Sequence, residues 1–161
     1  MLQKKFGNDS HFGNVIIDDI FIAAYEYNYK SPRFFSKHFI NEDPSRYNIS
    51  IWKMAAATSA APILFDPFAY KDGYNISNYM IDGAVICNDP AYYAFMVANK
   101  IKKYKDIRVF SLGTGYKPIT EFQQNIKSQE KITKFSAIEN LESFVMDMNA
   151  ITTDYLLKEA L

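Results

Sequence analysis

The 161-residue sequence contains one cysteine and two histidines, and it has no excess of charge of either sign. A single cysteine excludes an intramolecular disulfide and a zinc site built from paired cysteines. Because 18 basic residues balance 18 acidic ones, the sequence lacks the positive charge typical of nucleic-acid-binding proteins, and we expect no nucleic-acid partner. No apolar run approaches the ~18 residues of a membrane span, and the first residues lack the pattern of a signal peptide.

The composition is that of a globular protein. Hydrophobic residues make up 48% of the chain and charged residues 22%, which is sufficient for a folded core. We find no internal repeat, no low-complexity segment and no linker rich in proline or glycine. We therefore expect residues 1–161 to belong to a single domain, located in the cytoplasm or secreted without a recognisable signal peptide.

Hydrophobic periodicity predicts alternating strands and helices. Residues 14–29 have the strand-like alternation of tyrosines with polar residues, and Ser31-Pro32 follows as a break. A helix rich in small residues is predicted from about residue 51 to 61, with Ser50 as its N-cap and Pro62 beyond its end. Its small side chains allow close packing against a sheet. After the turn signal at Asp72-Gly73, residues 74–81 form a predicted strand that ends at Asp82.

The second half of the chain predicts a crossover unit. Asp89-Pro90 is a helix start, and residues 107–112 are a short apolar strand that ends in the turn Gly113-Thr114-Gly115. Strand, helix and strand at these lengths indicate parallel strands, so we expect an α/β fold around a mainly parallel sheet. A last helix is predicted from about residue 135. The predicted apolar stripes of these two helices consist of Ala94, Val97, Ala98, Ile101 and Tyr104, and of Ile138, Leu141, Val145, Met148, Tyr155 and Leu156.

Asp82 is the leading candidate for chemistry, because active sites of parallel sheets gather at the carboxyl ends of strands. A carboxylate in this place can be a general base, a metal ligand or a structural cap. Gly83 leaves its flank open to another side chain. The Asp-Gly pair is also an ordinary turn signal, so the residues alone leave a purely structural role open.

Three segments resemble the patatin-like phospholipase family. The segment IDGAVICNDPAYYA resembles its Asp-Gly-Gly/Ala box, which is followed by Asn-Asn-Pro-Ala, and here the box is Asp82, Gly83 and Ala84. Upstream, WKMAAATSAAPILF is similar to the family's ARATSAAPTYF helix, and downstream VFSLGTG is similar to its LSLGTG strand and turn. The three occur in the family's order, and the tail FVMDMNAITTDYLLKEAL is similar in pattern to its late helices.

The resemblance implies a serine hydrolase that cleaves acyl esters of membrane lipids or phospholipids at a membrane surface. In that family a Ser–Asp dyad acts without histidine, in an α/β/α three-layer fold, and no cofactor or metal is needed. Asp82 would be the dyad base, and Asn88 would order the loop behind it. The nucleophile lies in a G-x-S-x-G elbow, and a glycine-rich loop supplies the oxyanion hole.

Both of those family elements are missing from this sequence. Neither Ser59, in the small-residue helix, nor Ser111, inside the predicted strand, is placed as a substitute nucleophile. We therefore expect the C-terminal portion of a patatin-like domain, inactive alone, with an N-terminal half-domain chain as a possible partner. The alternative is a non-catalytic remnant or a lipid- or protein-binding module. Smaller departures are Ala56 in place of the helix arginine and Asp89 in place of the second asparagine.

Other candidate residues favour ordinary roles. His11 and His38 have no carboxylate–serine pattern around them. Asp18 and Asp19 are adjacent, so in a strand they would point to opposite faces and could not share a metal ion. Cys87 lies in an apolar run, which predicts a small buried side chain.

Overall fold

The computed structural model describes residues 1–17, 20–113 and 134–161 of the protein. These residues form two compact units, Met1–Pro90 and Ala91–Leu161. The Asp18-Asp19 pair and the Thr114-Gly115 part of the predicted turn lie outside the described residues, as do the side chains of Ile138 and Leu141.

The first unit is built on a four-stranded sheet with the order β2-β1-β4-β3. Its strands are β1 (Ile22–Glu26), β2 (Ser31–Phe35), β3 (Phe68–Lys71) and β4 (Ser77–Asp82). Every pairing in this sheet is antiparallel. The general α/β class is therefore confirmed, but the predicted mainly parallel sheet is wrong: two hairpins, β1–β2 and β3–β4, join along β1 and β4.

Helices surround this sheet in the first unit. They are α1 (Leu2–Phe6), α2 (Lys37–Glu42), α3 (Pro44–Tyr47), α4 (Ile51–Thr58) and α5 (Ala84–Cys87), with a 3₁₀ turn at Phe12–Asn14. The predicted helix at residues 51–61 is confirmed as α4, although it ends at Thr58 rather than near Pro62. As its small residues predicted, α4 packs against the sheet, contacting β1, β3 and β4.

One face of the sheet carries the core, and this face has an apolar part and a polar part. Near the end of β4 it is apolar, with Ala24, Phe35 and Met80 fully buried. Toward the other end it becomes polar, because Glu26, Arg33 and Asn78 lie on the same face and are also buried. The sheet therefore encloses charged side chains within its own hydrophobic layer.

Arg33 connects this polar cluster. Its Nε donates to Glu26 Oε2 at 3.0 Å, its Nη2 also donates to Oε2, and its guanidinium lies 5.1 Å from the ring centroid of Tyr47. Nη2 further approaches Asn78 Oδ1 at 3.5 Å. Glu26 is thus buried in the predicted tyrosine-rich strand, as are Ala23 and Ala24, while Tyr27 is 60% exposed beyond the strand's end. The strand is shorter than predicted and ends at Glu26, and Ser31-Pro32 begins β2; an edge strand tolerates the missing N–H of Pro32.

The second unit is helical over most of its described residues. It contains α6 (Ala91–Met96), a π-helical turn (Val97–Ile101) and α7 (Lys134–Ala160). Residues 107–113 form no strand, and Phe110 and Leu112 are 89% and 98% exposed. The predicted strand–helix–strand crossover is therefore wrong, since the strand that would complete it is not paired.

The predicted apolar stripes of the second unit also differ from the buried residues. In the first stripe Ala94 is exposed, and Ile101 and Tyr104 are 40% and 51% exposed. In the stripe of α7, the exposed fractions of Met148, Tyr155 and Leu156 are 48%, 64% and 37%. The buried cluster instead contains Ala91, Phe95 and Leu157. The helices are where the sequence predicted them, and the π turn changes the number of residues per turn for the predicted stripe positions from Val97 onward in the first of them. In the described part of the chain, no helix combines the length and apolar character needed to cross a membrane.

Removing the buried cation tests the Glu26–Arg33 pair. We expect Arg33→Met to lower the free energy of unfolding by about 3 kcal/mol, because it removes both hydrogen bonds to the buried Glu26 carboxylate and leaves only Arg46, whose Nη2 lies 3.8 Å from Oε2. The double variant Glu26→Leu/Arg33→Met should recover much of that loss in urea unfolding. Lys158→Met, which removes an exposed pair with Asp154, is the control and should cost at most about 1 kcal/mol. An Arg33→Met loss no larger than the control's would contradict a buried, coupled pair.

The phenol of Tyr70 predicts a pH dependence of stability. Burial raises the pKa of Tyr70 to about 12, partly opposed by Arg33, so the folded state favours the neutral phenol. Its contribution is fully present below pH ~10, the ordinary tyrosine pKa, and is lost as the pH rises toward 12. We expect the stability advantage of the wild type over Tyr70→Phe to shrink by about 2 to 3 kcal/mol over that range in urea unfolding. Tyr27→Phe, at an exposed site, serves as the control; a pH-independent difference for Tyr70→Phe would refute the assignment.

Candidate functional site

Asp82 is placed by the sheet, as its position after an apolar run predicted. It is the last residue of β4 and pairs with Ala24 of β1. Its backbone N–H donates to the carbonyl of Ala60 at 2.9 Å, just beyond the end of α4. The backbone of Asp82 is therefore held from two sides, by β1 and by the segment that follows α4.

Gly83 is required by close packing rather than by an unusual backbone angle. Its φ of −66° is ordinary for any residue. A Cβ atom at this position would overlap the carbonyl group of Ala23 and would lie 3.1 Å from the Ala23 Cβ. That same carbonyl accepts a hydrogen bond from Thr58 Oγ1 at 2.6 Å. The open flank of Gly83 is thus occupied by the backbone of β1, where the sequence predicted the approach of a side chain.

The carboxylate of Asp82 makes a local hydrogen bond. Oδ1 accepts from the N–H of Ala84 at 2.8 Å, and Ala84 begins the short helix α5. A carboxylate that satisfies a free N–H at a helix start is a structural cap. Within the described ranges, no serine, histidine or cysteine donates to either oxygen of Asp82. Of the roles that the sequence left open for Asp82, the contacts therefore support the structural cap.

The candidate hydroxyl and imidazole groups are engaged elsewhere. Ser59 Oγ donates to the carbonyl of Ala55 at 2.7 Å, one turn back in the chain. His11 Nδ1 lies 3.1 Å from the carbonyl oxygen of Asp9, and His38 Nε2 lies 3.2 Å from Glu42 Oε1. Ser111 is exposed in the second unit. Within the first unit, the structure does not bring Ser59, His11 or His38 to Asp82.

The remaining predicted residues lie along α5. Cys87 is 7% exposed, which confirms the predicted buried side chain, and this burial together with Asp89 raises the pKa of its thiol to about 11. Such a thiol is a poor nucleophile at neutral pH. Asn88 is exposed at the C-terminal cap of α5, so its role in ordering the loop stays a prediction. No group of three or more potential metal ligands occurs among the described residues.

Two residues of this site were not singled out from the sequence. Thr58 and Ala23 lie 35 positions apart and meet only because α4 crosses the end of β1. No spacing pattern signals such a contact. The glycine next to Asp82 indicates that another group approaches the chain closely there, but it does not show which segment of backbone this is.

An added methyl group tests the packing at Gly83. We expect Gly83→Ala to lower the free energy of unfolding by at least about 2 kcal/mol, because the new Cβ would overlap the Ala23 carbonyl and force the strand end to move. Gly113→Ala is the matched control, since a Cβ there meets no atom within 4 Å. Thermal unfolding of both variants measures the effect. Equal midpoints for the two variants would show that the strand end is not packed as described.

Comparison with known proteins gives one partial similarity and no match to a protein-family model. The chain is 32% identical over 105 residues to the probable inactive patatin-like protein 9 of Arabidopsis thaliana. The aligned region covers 60% of this chain and 27% of that protein, so the chain spans about a quarter of its curated relative. The similarity supports a relationship to patatin-like proteins, in agreement with the resemblance of the Asp82 segment.

Proposed function

We propose that this chain is the C-terminal, aspartate-bearing portion of a patatin-like domain and that it does not hydrolyse acyl esters by itself. The observation that carries the proposal is the state of Asp82. Its Oδ1 accepts from the Ala84 N–H at 2.8 Å, and no described hydroxyl donates to it. A general base must lie within about 2.6 to 3.2 Å of the proton that it removes. A carboxylate without a nucleophile at this distance supports the fold but performs no acyl transfer.

The similarity to a patatin-like protein whose name describes it as probably inactive supports the same proposal. It is consistent with a non-catalytic member or remnant. The nucleophile elbow and the oxyanion loop are absent from this sequence, and catalysis by an activated hydroxyl needs both the nucleophile and its charge-stabilising donors. Loss of the nucleophile and the oxyanion donors together lowers the rate of acyl transfer more than loss of one partner of a dyad.

A second candidate function is an enzyme completed by another polypeptide segment. It is favoured by the hydrogen bonding of Asp82, because only Oδ1 has a donor within the described part of the chain. Oδ2 would accept the proton of a serine supplied by an N-terminal half-domain. The substrate would then be an acyl ester of a membrane lipid or phospholipid, and the complete enzyme would act at the membrane surface.

An esterase assay tests the inactivity of the chain alone. We expect the purified protein to hydrolyse p-nitrophenyl butyrate no faster than its Asp82→Asn variant, because neither has a nucleophile. Asparagine keeps an acceptor for the Ala84 N–H, so the cap and the fold are preserved. Asp66→Asn, at an exposed position, controls for the loss of one negative charge.

Turnover that disappears in Asp82→Asn and persists in Asp66→Asn would overturn the inactivity of the isolated chain. The same assay, run on the chain co-expressed with a polypeptide that carries a G-x-S-x-G elbow, tests the second candidate. Activity that needs both chains and Asp82 would support a completed enzyme. Failure of the two chains to co-purify would reject it.

A further inference from the structure

A cleft in the first unit lies apart from the Asp82 segment, and of its lining residues only Lys53 belongs to a segment that carries the patatin-like resemblance. Its volume is about 390 Å³. It is formed by the stretch from α3 to the start of α4 and by the turn that joins β3 to β4. The lining residues are His11, Pro44, Ser45, Asn48, Ile49, Ser50, Lys53, Lys71, Asp72 and Gly73.

Two lysines and one carboxylate, Asp72, line this cleft, so its lining is positively charged overall. Lys53 and Lys71 both line it, and neither forms an ion pair within the described part of the chain. The ammonium of Lys53 lies 5.9 Å from the ring centroid of Trp52, a contact that leaves its N–H donors unused. Ammonium groups are strong, compact donors suited to phosphate.

The single acidic side chain of the cleft is already satisfied by its own turn. Asp72 Oδ1 accepts from the N–H groups of Tyr74 and Ile76 at 3.0 and 2.9 Å. Asp72 Oδ2 accepts from Asn78 Nδ2 at 3.3 Å. These bonds fix the carboxylate to the turn between β3 and β4. Neither lysine is bound to it, so the excess of donors in the cleft remains.

The neutral side chains add donors rather than acceptors. Asn48 Oδ1 accepts from the N–H of Gly13 at 2.9 Å, which orients the amide and leaves its Nδ2 group as a donor. Ser50 Oγ donates to the carbonyl of Asn8 at 3.1 Å, and the carbonyl of Ser45 accepts from Gly73 at 2.7 Å. The Asn48 side-chain oxygen, the Asp72 carboxylate and the Ser45 carbonyl thus have donors, while Lys53, Lys71 and Asn48 retain unused N–H groups.

We propose that this cleft is a binding site for a phosphate monoester dianion, held by Lys53, Lys71 and the Asn48 amide. The two ammonium groups attract the dianion and outnumber the one carboxylate of the wall, Asp72, and the ligand's oxygens accept from all three side chains. The cleft has room for a phosphate and a small attached group. The phosphate can belong to a free small molecule or to the headgroup of a lipid such as phosphatidic acid. The site is independent of the acyl-ester chemistry considered above.

Titration of the ¹⁵N-labelled full chain with inorganic phosphate tests the proposal by NMR. We expect saturable shifts of the backbone amides of Asn48, Lys53 and Gly73, with sodium chloride at equal ionic strength producing none. The Lys53→Met/Lys71→Met variant should bind about tenfold more weakly or worse, because it removes the charge-assisted hydrogen bonds to the phosphate. Lys4→Met, at an exposed position of α1, should bind phosphate as the wild type does.

Further ligands distinguish the two sources of the phosphate. Glycerol 3-phosphate tests the free small molecule, and sedimentation with phosphatidylcholine vesicles, with and without phosphatidic acid, tests the lipid headgroup. Lysine-dependent binding to any of these phosphates supports the site. Absence of saturable binding to all of them, or equal binding by the double variant, would overturn it. Far-UV circular dichroism of the variants verifies that a loss of binding is not a loss of fold.

Discussion

The ion pair between Glu26 and Arg33 fixes which face of the sheet is buried. Because side chains alternate along a strand, enclosing Glu26 also encloses Ala24 on β1 and, through the register of β4, Met80. A slip by one residue would expose this apolar set and leave Glu26 without Arg33. The pair is 1% and 2% exposed, so its separation would leave two buried charges without their hydrogen-bonded partner. The positions of β4 and of Asp82 at its end follow from that register.

The ion pair fixes the polar cluster, and contacts that involve the backbone fix the end of β4. Gly83 lies against the Ala23 carbonyl, which Thr58 also binds, and the N–H of Asp82 reaches the carbonyl of Ala60. The Asp82 carboxylate then caps α5 through Ala84. Together these contacts join α4, β1 and β4.

The parts of the fold that could be predicted were those determined locally. An apolar run ending in Asp-Gly located the end of β4, and Ser50 with the following small residues located α4. The direction of the sheet could not be predicted, because the parallel interpretation depended on a strand at residues 107–112, and this segment forms no strand. Burial of Glu26 was also missed, since a glutamate is ordinarily exposed and its partner comes from the next strand. The cleft residues come from separate segments, and no sequence spacing connects His11, Lys53 and Lys71.

The central claim is that Asp82 is a structural cap in this chain and activates no serine. The most direct measurement is covalent labelling with a fluorophosphonate, which reacts with serines activated for acyl transfer, followed by peptide mapping by mass spectrometry. The account predicts that no serine of the folded protein is labelled above the level of a heat-denatured sample. Stoichiometric labelling of one serine that disappears in Asp82→Asn would contradict it.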